Sequence, residues 1–192
     1  MQMRMIFGII TVFVTGTLAS LAANPAWAGE AHAVYQAPEQ YVAESLSQQT
    51  ETVPDSRTLW PNSDLRLQLK EVLGHKPSLR YKYWGQDGKT VWVLDEIGKD
   101  RPITAGIVIS QGQIEDVRVL VFRESRGWEI KHNFFTRQFV NLFLEGNQDL
   151  SGRIDNITGA TLSVKAMTRM AKAALLLHDH AQKDKIRLAS AR

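Results

Sequence analysis

Residues 79–122 hold four β-prone runs separated by turn signals, and they restrict the chain to folds built around an antiparallel sheet. Residues 79–84 are rich in aromatic and β-prone side chains, and residues 90–97 follow across the turn Gln86-Asp87-Gly88. Residues 103–110 and Gln113–Phe122 come next, joined by Gln111-Gly112, a pair suited to a tight hairpin. The middle of the chain is therefore expected to be an antiparallel meander of about four strands.

Helical signals flank the meander. Residues 38–49 begin with Pro38 and place Tyr41, Val42 and Leu46 on one side of a short helix. Residues 50–62 carry Pro54, Asp55, Pro61 and Asn62 and read as loop. Ser63 is a good N-cap for a helix over 64–73, and Gly74 a good stop. Residues 132–144 place Phe135, Phe139, Val140 and Phe143 at helical spacing. A last helix spans 160 to about 177, and the charged residues after His178 are expected to fray. The fold class is α+β: one domain, with helices packed on an antiparallel sheet. The domain covers 63–178, after a leader and short helix at 29–62 and before a charged tail at 179–192.

The N-terminus carries an export signal. Arg4 is the one charged residue before Glu30, an apolar run extends to Ala23, and Pro25 precedes Ala26-Trp27-Ala28. A basic start, an apolar core and an A-x-A site make residues 1–28 a signal peptide, cleaved to leave Gly29 first. The alternative is a retained membrane anchor, for which the run is short and diluted by Gly and Thr. Either way the globular part is expected in the periplasm or another extracytoplasmic space.

Composition narrows the chemistry. The formal net charge of +3 is weak and not gathered into a stripe, so nucleic acid is a poor partner. There is no cysteine, which excludes disulfides, thiolate zinc sites, iron–sulfur ligation and thioether-bound haem. Dinucleotide, P-loop, nucleophile-elbow and zinc-protease motifs are all missing. His178 and His180 are two apart, point to different helix faces, and read as solvated surface.

One segment stands out, Asp155-Asn156-Ile157-Thr158-Gly159-Ala160-Thr161-Leu162-Ser163. Gly159 permits a left-handed turn, Ala160 adds little bulk, and Thr161 falls at the start of a helix. Free backbone N–H groups and the helix dipole favour an anion there. On physics alone an ordinary helix start, with Thr158 or Thr161 as cap, explains the segment equally well.

Asp155-x-x-Thr158-Gly159-Ala160-Thr161 resembles the flavinylation motif D-x-x-[ST]-G-A-[ST] of the FMN-binding domain family. That family includes the C subunit of the sodium-translocating NADH:quinone reductase and the G subunit of the Rnf complex. Two further stretches are similar to it. Glu124-Ser125-Arg126-Gly127, followed by Trp128, matches the family's E-x-x-G at a strand end, and Phe135-Thr136-Arg137-Gln138-Phe139 matches its F-x-x-Q-F. The pump subunits usually carry a second Gly where this chain has Glu129.

The resemblance implies that a flavin transferase esterifies the phosphate of FMN to the hydroxyl of Thr161. It also implies an electron carrier working with a redox partner such as a cytochrome or a membrane quinone-linked subunit. The alternative is an electron-input subunit of an exported reductase that acts on a small organic substrate. Thr158, Gly159, Ala160 and Leu162 surround the acceptor, and Glu124 and Gly127 lie by the flavin. Asp155 serves either recognition during transfer or capping of its own turn. Arg126 either faces the flavin or its phosphate or is a solvated loop charge, and Trp128 either covers the ring or packs in the domain.

Overall fold

The computed structural model describes residues 33–46, 55–86 and 88–190. The expected signal segment lies outside the described residues. Among them, no helix is long and apolar enough to cross a membrane. The expected meander is present as β3 (Tyr81–Gln86), β4 (Lys89–Ile97), β5 (Pro102–Ser110) and β6 (Gln113–Phe122). Gln111 and Gly112 both adopt positive φ, 53° and 76°, as a tight turn between β5 and β6 needs.

Two short strands were not legible. Ala33–Val34 (β1), in the expected leader, pairs with β6, and Arg57–Leu59 (β2), in the expected loop, pairs with β3. The sheet thus has six antiparallel strands in the order β1-β6-β5-β4-β3-β2. The two added strands are two and three residues long and mostly exposed, so they carry almost no apolar alternation.

One face of the sheet is covered by α1 (Pro38–Leu46), which buries Tyr41, Val42 and Leu46 as the sequence reading expected. They pack against Val91, Val108 and Leu120. Gly106 allows this contact, because a Cβ there would stand 2.2 Å from the Tyr41 ring. The Tyr41 hydroxyl donates to Asp116 across 3.0 Å and fixes the ring on the strand.

The other face carries α2 (Ser63–Leu73) and the long α4 (Thr161–Ser190). Asn62, not Ser63, caps α2, with its side chain accepting the Leu65 N–H at 2.9 Å. Gly74 ends α2 in the left-handed conformation with φ 76°, as expected.

The aromatic segment is not one helix. A 3-10 turn (Trp128–Lys131), α3 (Asn133–Thr136) and a second 3-10 turn (Arg137–Phe139) follow one another. The chain then turns away at Asn141, with φ 66°. Asn141 N–H donates to the Ile114 carbonyl and Ile114 N–H to the Leu142 carbonyl, at 2.8 and 2.9 Å. These bonds to the start of β6 replace the helical ones. Phe135 and Phe139 are fully buried, edge to face at 5.4 Å, whereas Phe143 is exposed.

α4 does not fray after His178 but continues to Ser190, and Ala181 is still buried on it. His178 is also buried, contrary to the expected surface position. Its Nδ1 lies 2.7 Å from Thr90 Oγ1, which accepts the Trp92 indole N–H at 2.8 Å. Burial lowers the pKa of His178, so the fold favours the neutral ring. The unfolded chain protonates first as pH falls below about 6.5, and stability contributed by the neutral ring is then lost. His75 works in the opposite sense, because its pKa is raised by Glu96. Chemical denaturation at stepped pH should therefore show a steeper acid loss in wild type than in His178→Gln, and a shallower one than in His75→Gln.

Candidate functional site

The turn before α4 is built from its sequence. Gly159 has φ 84°, and Ala160 N–H donates to the Ile157 carbonyl at 2.9 Å. Ala160 is buried, and its carbonyl accepts the Val164 N–H, which is the first helical bond of α4. The N–H groups of Thr161, Leu162 and Ser163 precede that bond and have no carbonyl one turn back. They and the aligned dipoles of a 30-residue helix give this end partial positive charge.

Thr161 is the first residue of α4, and its side chain is exposed. Asn156 Nδ2 donates to its Oγ1 at 2.9 Å, which fixes the rotamer. Thr161 lines a cleft of about 700 Å³ between α4 and residues 145–156. That size lies within the usual range for a small-molecule site, roughly 300–1,000 Å³. Its lining is mixed: Leu150, Ile154 and Val164 are apolar, and Arg153, Lys165 and Arg169 are cationic. Lys172 also reaches the cleft but is held by Asp149 at 2.6 Å. The Lys172 ammonium keeps the Asp149 carboxyl below its ordinary pKa.

A helix N-terminus with cationic side chains along the same face, beside apolar walls, suits a phosphate-bearing aromatic group. Thr161, Lys165 and Arg169 are spaced i, i+4 and i+8, so the cationic face runs about 12 Å along the helix from the hydroxyl. That spacing was readable in the sequence, as was Asn156 next to the motif acid. Neither was singled out.

Of the expected site residues, Thr161 alone lines this cleft. Leu162 is half-exposed at the second position of α4, and Thr158 and Gly159 are exposed in the turn. Asp155 does not cap the turn through its carboxylate. Its contact is the backbone N–H, which donates to Gln138 Oε1 at 2.7 Å. The Gln of F-x-x-Q-F thus ties the aromatic segment to the Thr161 motif, a role that sequence reading did not assign.

The E-x-x-G segment packs on another side of the first turn of α4. Gly127 has φ 85°, and a Cβ there would stand 2.6 Å from Ser163 Oγ and 3.3 Å from Ala160 Cβ. Residues 161 and 163 differ by about 200° around a helix, so Gly127 packs away from the face of Thr161. Glu124 serves the sheet: its Oε1 accepts the N–H groups of Lys99, Asp100 and Arg101 in the turn between β4 and β5, at 2.5, 2.8 and 3.1 Å. Arg126 is exposed on the loop. Trp128 is half-exposed, edge-on to His132 at 5.5 Å, with Lys131 Nζ 5.1 Å from its ring.

Gly127→Ala should cost about 1–3 kcal/mol, from the left-handed backbone and the crowding against α4. In urea titrations, the double variant with Ser163→Ala should recover part of that loss but not all. Full recovery would assign the whole effect to the Ser163 contact and none to the backbone.

Residues 98–176 match the family model described as the FMN-binding domain. No curated protein matches the chain. The matched stretch holds β5, β6, the aromatic segment, the turn before Thr161 and the first half of α4. Residues 98–176 therefore form an FMN-binding domain, that of a flavoprotein involved in electron transfer.

Proposed function

We propose that the protein is an exported electron carrier whose FMN is esterified through its phosphate to Thr161. The observation that carries this reading is the position of Thr161: an exposed residue at the first position of a long helix, lining a cleft that also holds Arg153 and Lys165. Bound there, FMN supplies reversible one- and two-electron exchange. The chain contributes the tether and the electrostatics. The free N–H groups of the first turn of α4 would donate to the phosphate oxygens. The Asn156 amide holds the hydroxyl in one orientation. Arg153 and Lys165 would offset negative charge placed in the cleft, and Arg169 lines it while ion-paired to Glu96 at 3.2 Å.

A threonine hydroxyl is a weak nucleophile, so a flavin transferase supplies its activation and this chain is the substrate of that step. Export follows from residues 1–28, and an ester keeps the cofactor in place in a compartment with little free flavin. The redox partner is a cytochrome or a membrane quinone-linked subunit. The test is co-expression with a flavin transferase and purification from the exported fraction. The protein should be yellow, retain its colour after denaturation, and begin at Gly29. Colour lost on denaturation would replace the ester with contacts alone, and Met1 found on membrane-bound protein would replace cleavage with anchoring.

A further inference from the structure

Behind the cleft three charged groups are joined in a row. Arg169 donates from one terminal nitrogen to Glu96 Oε1 and to the Ile97 carbonyl, each at 3.2 Å. The Glu96 side chain is 2% exposed, and its Oε2 lies 2.9 Å from His75 Nε2. His75 Nδ1 lies 3.1 Å from the Lys76 carbonyl. Both ring nitrogens therefore face oxygens that only accept. A neutral imidazole has one N–H and an imidazolium two, so only the protonated ring satisfies both contacts. The His75 side chain is 53% exposed, which gives it direct proton exchange with water.

Resting on the reading that FMN occupies the cleft, we propose that His75, Glu96 and Arg169 form a proton-linked relay that sets the positive charge the cleft presents to its cofactor. His75 and Glu96 are positioning residues that act through Arg169. When His75 is protonated, the buried carboxylate is shared between two cations and the row carries net positive charge. When the proton leaves, Glu96 is committed to Arg169 and the row is neutral. The raised pKa of His75, caused first by its bond to Glu96 and then by the Lys76 carbonyl, agrees with this geometry.

The other groups facing the row are Tyr81 from β3, which feels the charge of Glu96, and the cleft residues Arg153, Lys165, Lys172, Glu145 and Asp149. Histidine is the side chain whose ordinary charge change falls between about pH 5 and 8. Electrons added to the cofactor favour the protonated ring, and by reciprocity the protonated ring raises the reduction potential. The electrons come from the electrode or redox partner, and the proton that accompanies them onto the His75 ring comes from water.

The test uses holoprotein whose flavin content is counted by mass, with midpoint potentials measured by spectroelectrochemistry from about pH 5 to 8. Wild type should lie above His75→Gln at the acid end, and the gap should close as pH rises through the titration of His75. Proton uptake by the flavin itself is common to both proteins and drops out of the difference. Arg169→Gln should lower the potential at every pH, because the row loses one positive charge in both states of His75, whereas Arg169→Lys should stay near wild type. His75→Gln alters a half-exposed side chain, so it keeps the comparison available if Arg169→Gln fails to fold. A gap between wild type and His75→Gln that does not vary with pH, or Arg169→Gln with wild-type potentials, overturns the relay while leaving the flavin in place. Protein that carries no flavin by mass overturns the cofactor reading, and the relay with it.

Discussion

Thr161→Ala, co-expressed with a flavin transferase, should be exported as folded, colourless protein with no covalent FMN. The expected effect on labelling is complete loss, because the variant has no hydroxyl to esterify. The effect on the fold should be small. Thr161 is exposed and loses one hydrogen bond, from Asn156, worth about 0.5–1.5 kcal/mol. The helix start survives, since Gly159 and Ala160 make the turn and the Ala160 carbonyl opens α4. Thr161→Ser should retain part of the labelling, because the hydroxyl remains without the methyl group that restricts its rotamer. Thr158→Ala should weaken labelling at most. Denatured samples compared by visible absorption and intact mass separate these outcomes from loss of protein.

The largest effect on stability is expected at the aromatic segment. Phe139 is fully buried against Phe135 in the main core. Phe139→Ala should cost about 3–5 kcal/mol, from lost transfer energy and the cavity left behind. Against a typical total of about 5–15 kcal/mol, that brings the domain near unfolding. Phe143→Ala should cost far less, because Phe143 is exposed beyond the turn at Asn141. A single amphipathic helix over 132–144 would put both rings on the core face and make the two costs similar. Urea titration of the two variants distinguishes these arrangements, and equal losses would contradict the broken segment.

These aromatics also show where sequence reading stops. Phe135 and Phe139 were legible as core because their spacing matches a helical turn. The break after Phe139 was not, because it comes from backbone bonds between Asn141, Leu142 and Ile114, partners far apart in sequence. The four central strands were legible for the opposite reason. Their turns are local, and Gly88 and Gly112 report a left-handed backbone directly. β1 and β2 are held by pairing to β6 and β3 more than by any pattern of their own. His178 was misplaced because its polar partner, Thr90, lies on a strand that only the tertiary fold brings to α4.

At the site, Thr161 was legible as a possible acceptor from local chemistry and the motif resemblance. The cleft beside it was not, because residues 145–156 form its second wall from a loop with no periodic signal. Glu124 and Gly127 were expected near the flavin. The structure gives each a definite local partner, the turn between β4 and β5 for one and Ala160 and Ser163 on α4 for the other.

Localising the cofactor on the chain decides whether Thr161 is the acceptor. Exported protein co-expressed with a flavin transferase is digested, and the yellow peptide is sequenced by tandem mass spectrometry. One modified peptide is expected, spanning Asp155 to Ser163, heavier by FMN less one water, with fragments that place the added mass on Thr161. The same mass on Thr158 or Ser163, or on a peptide from Thr161→Ala, would contradict it.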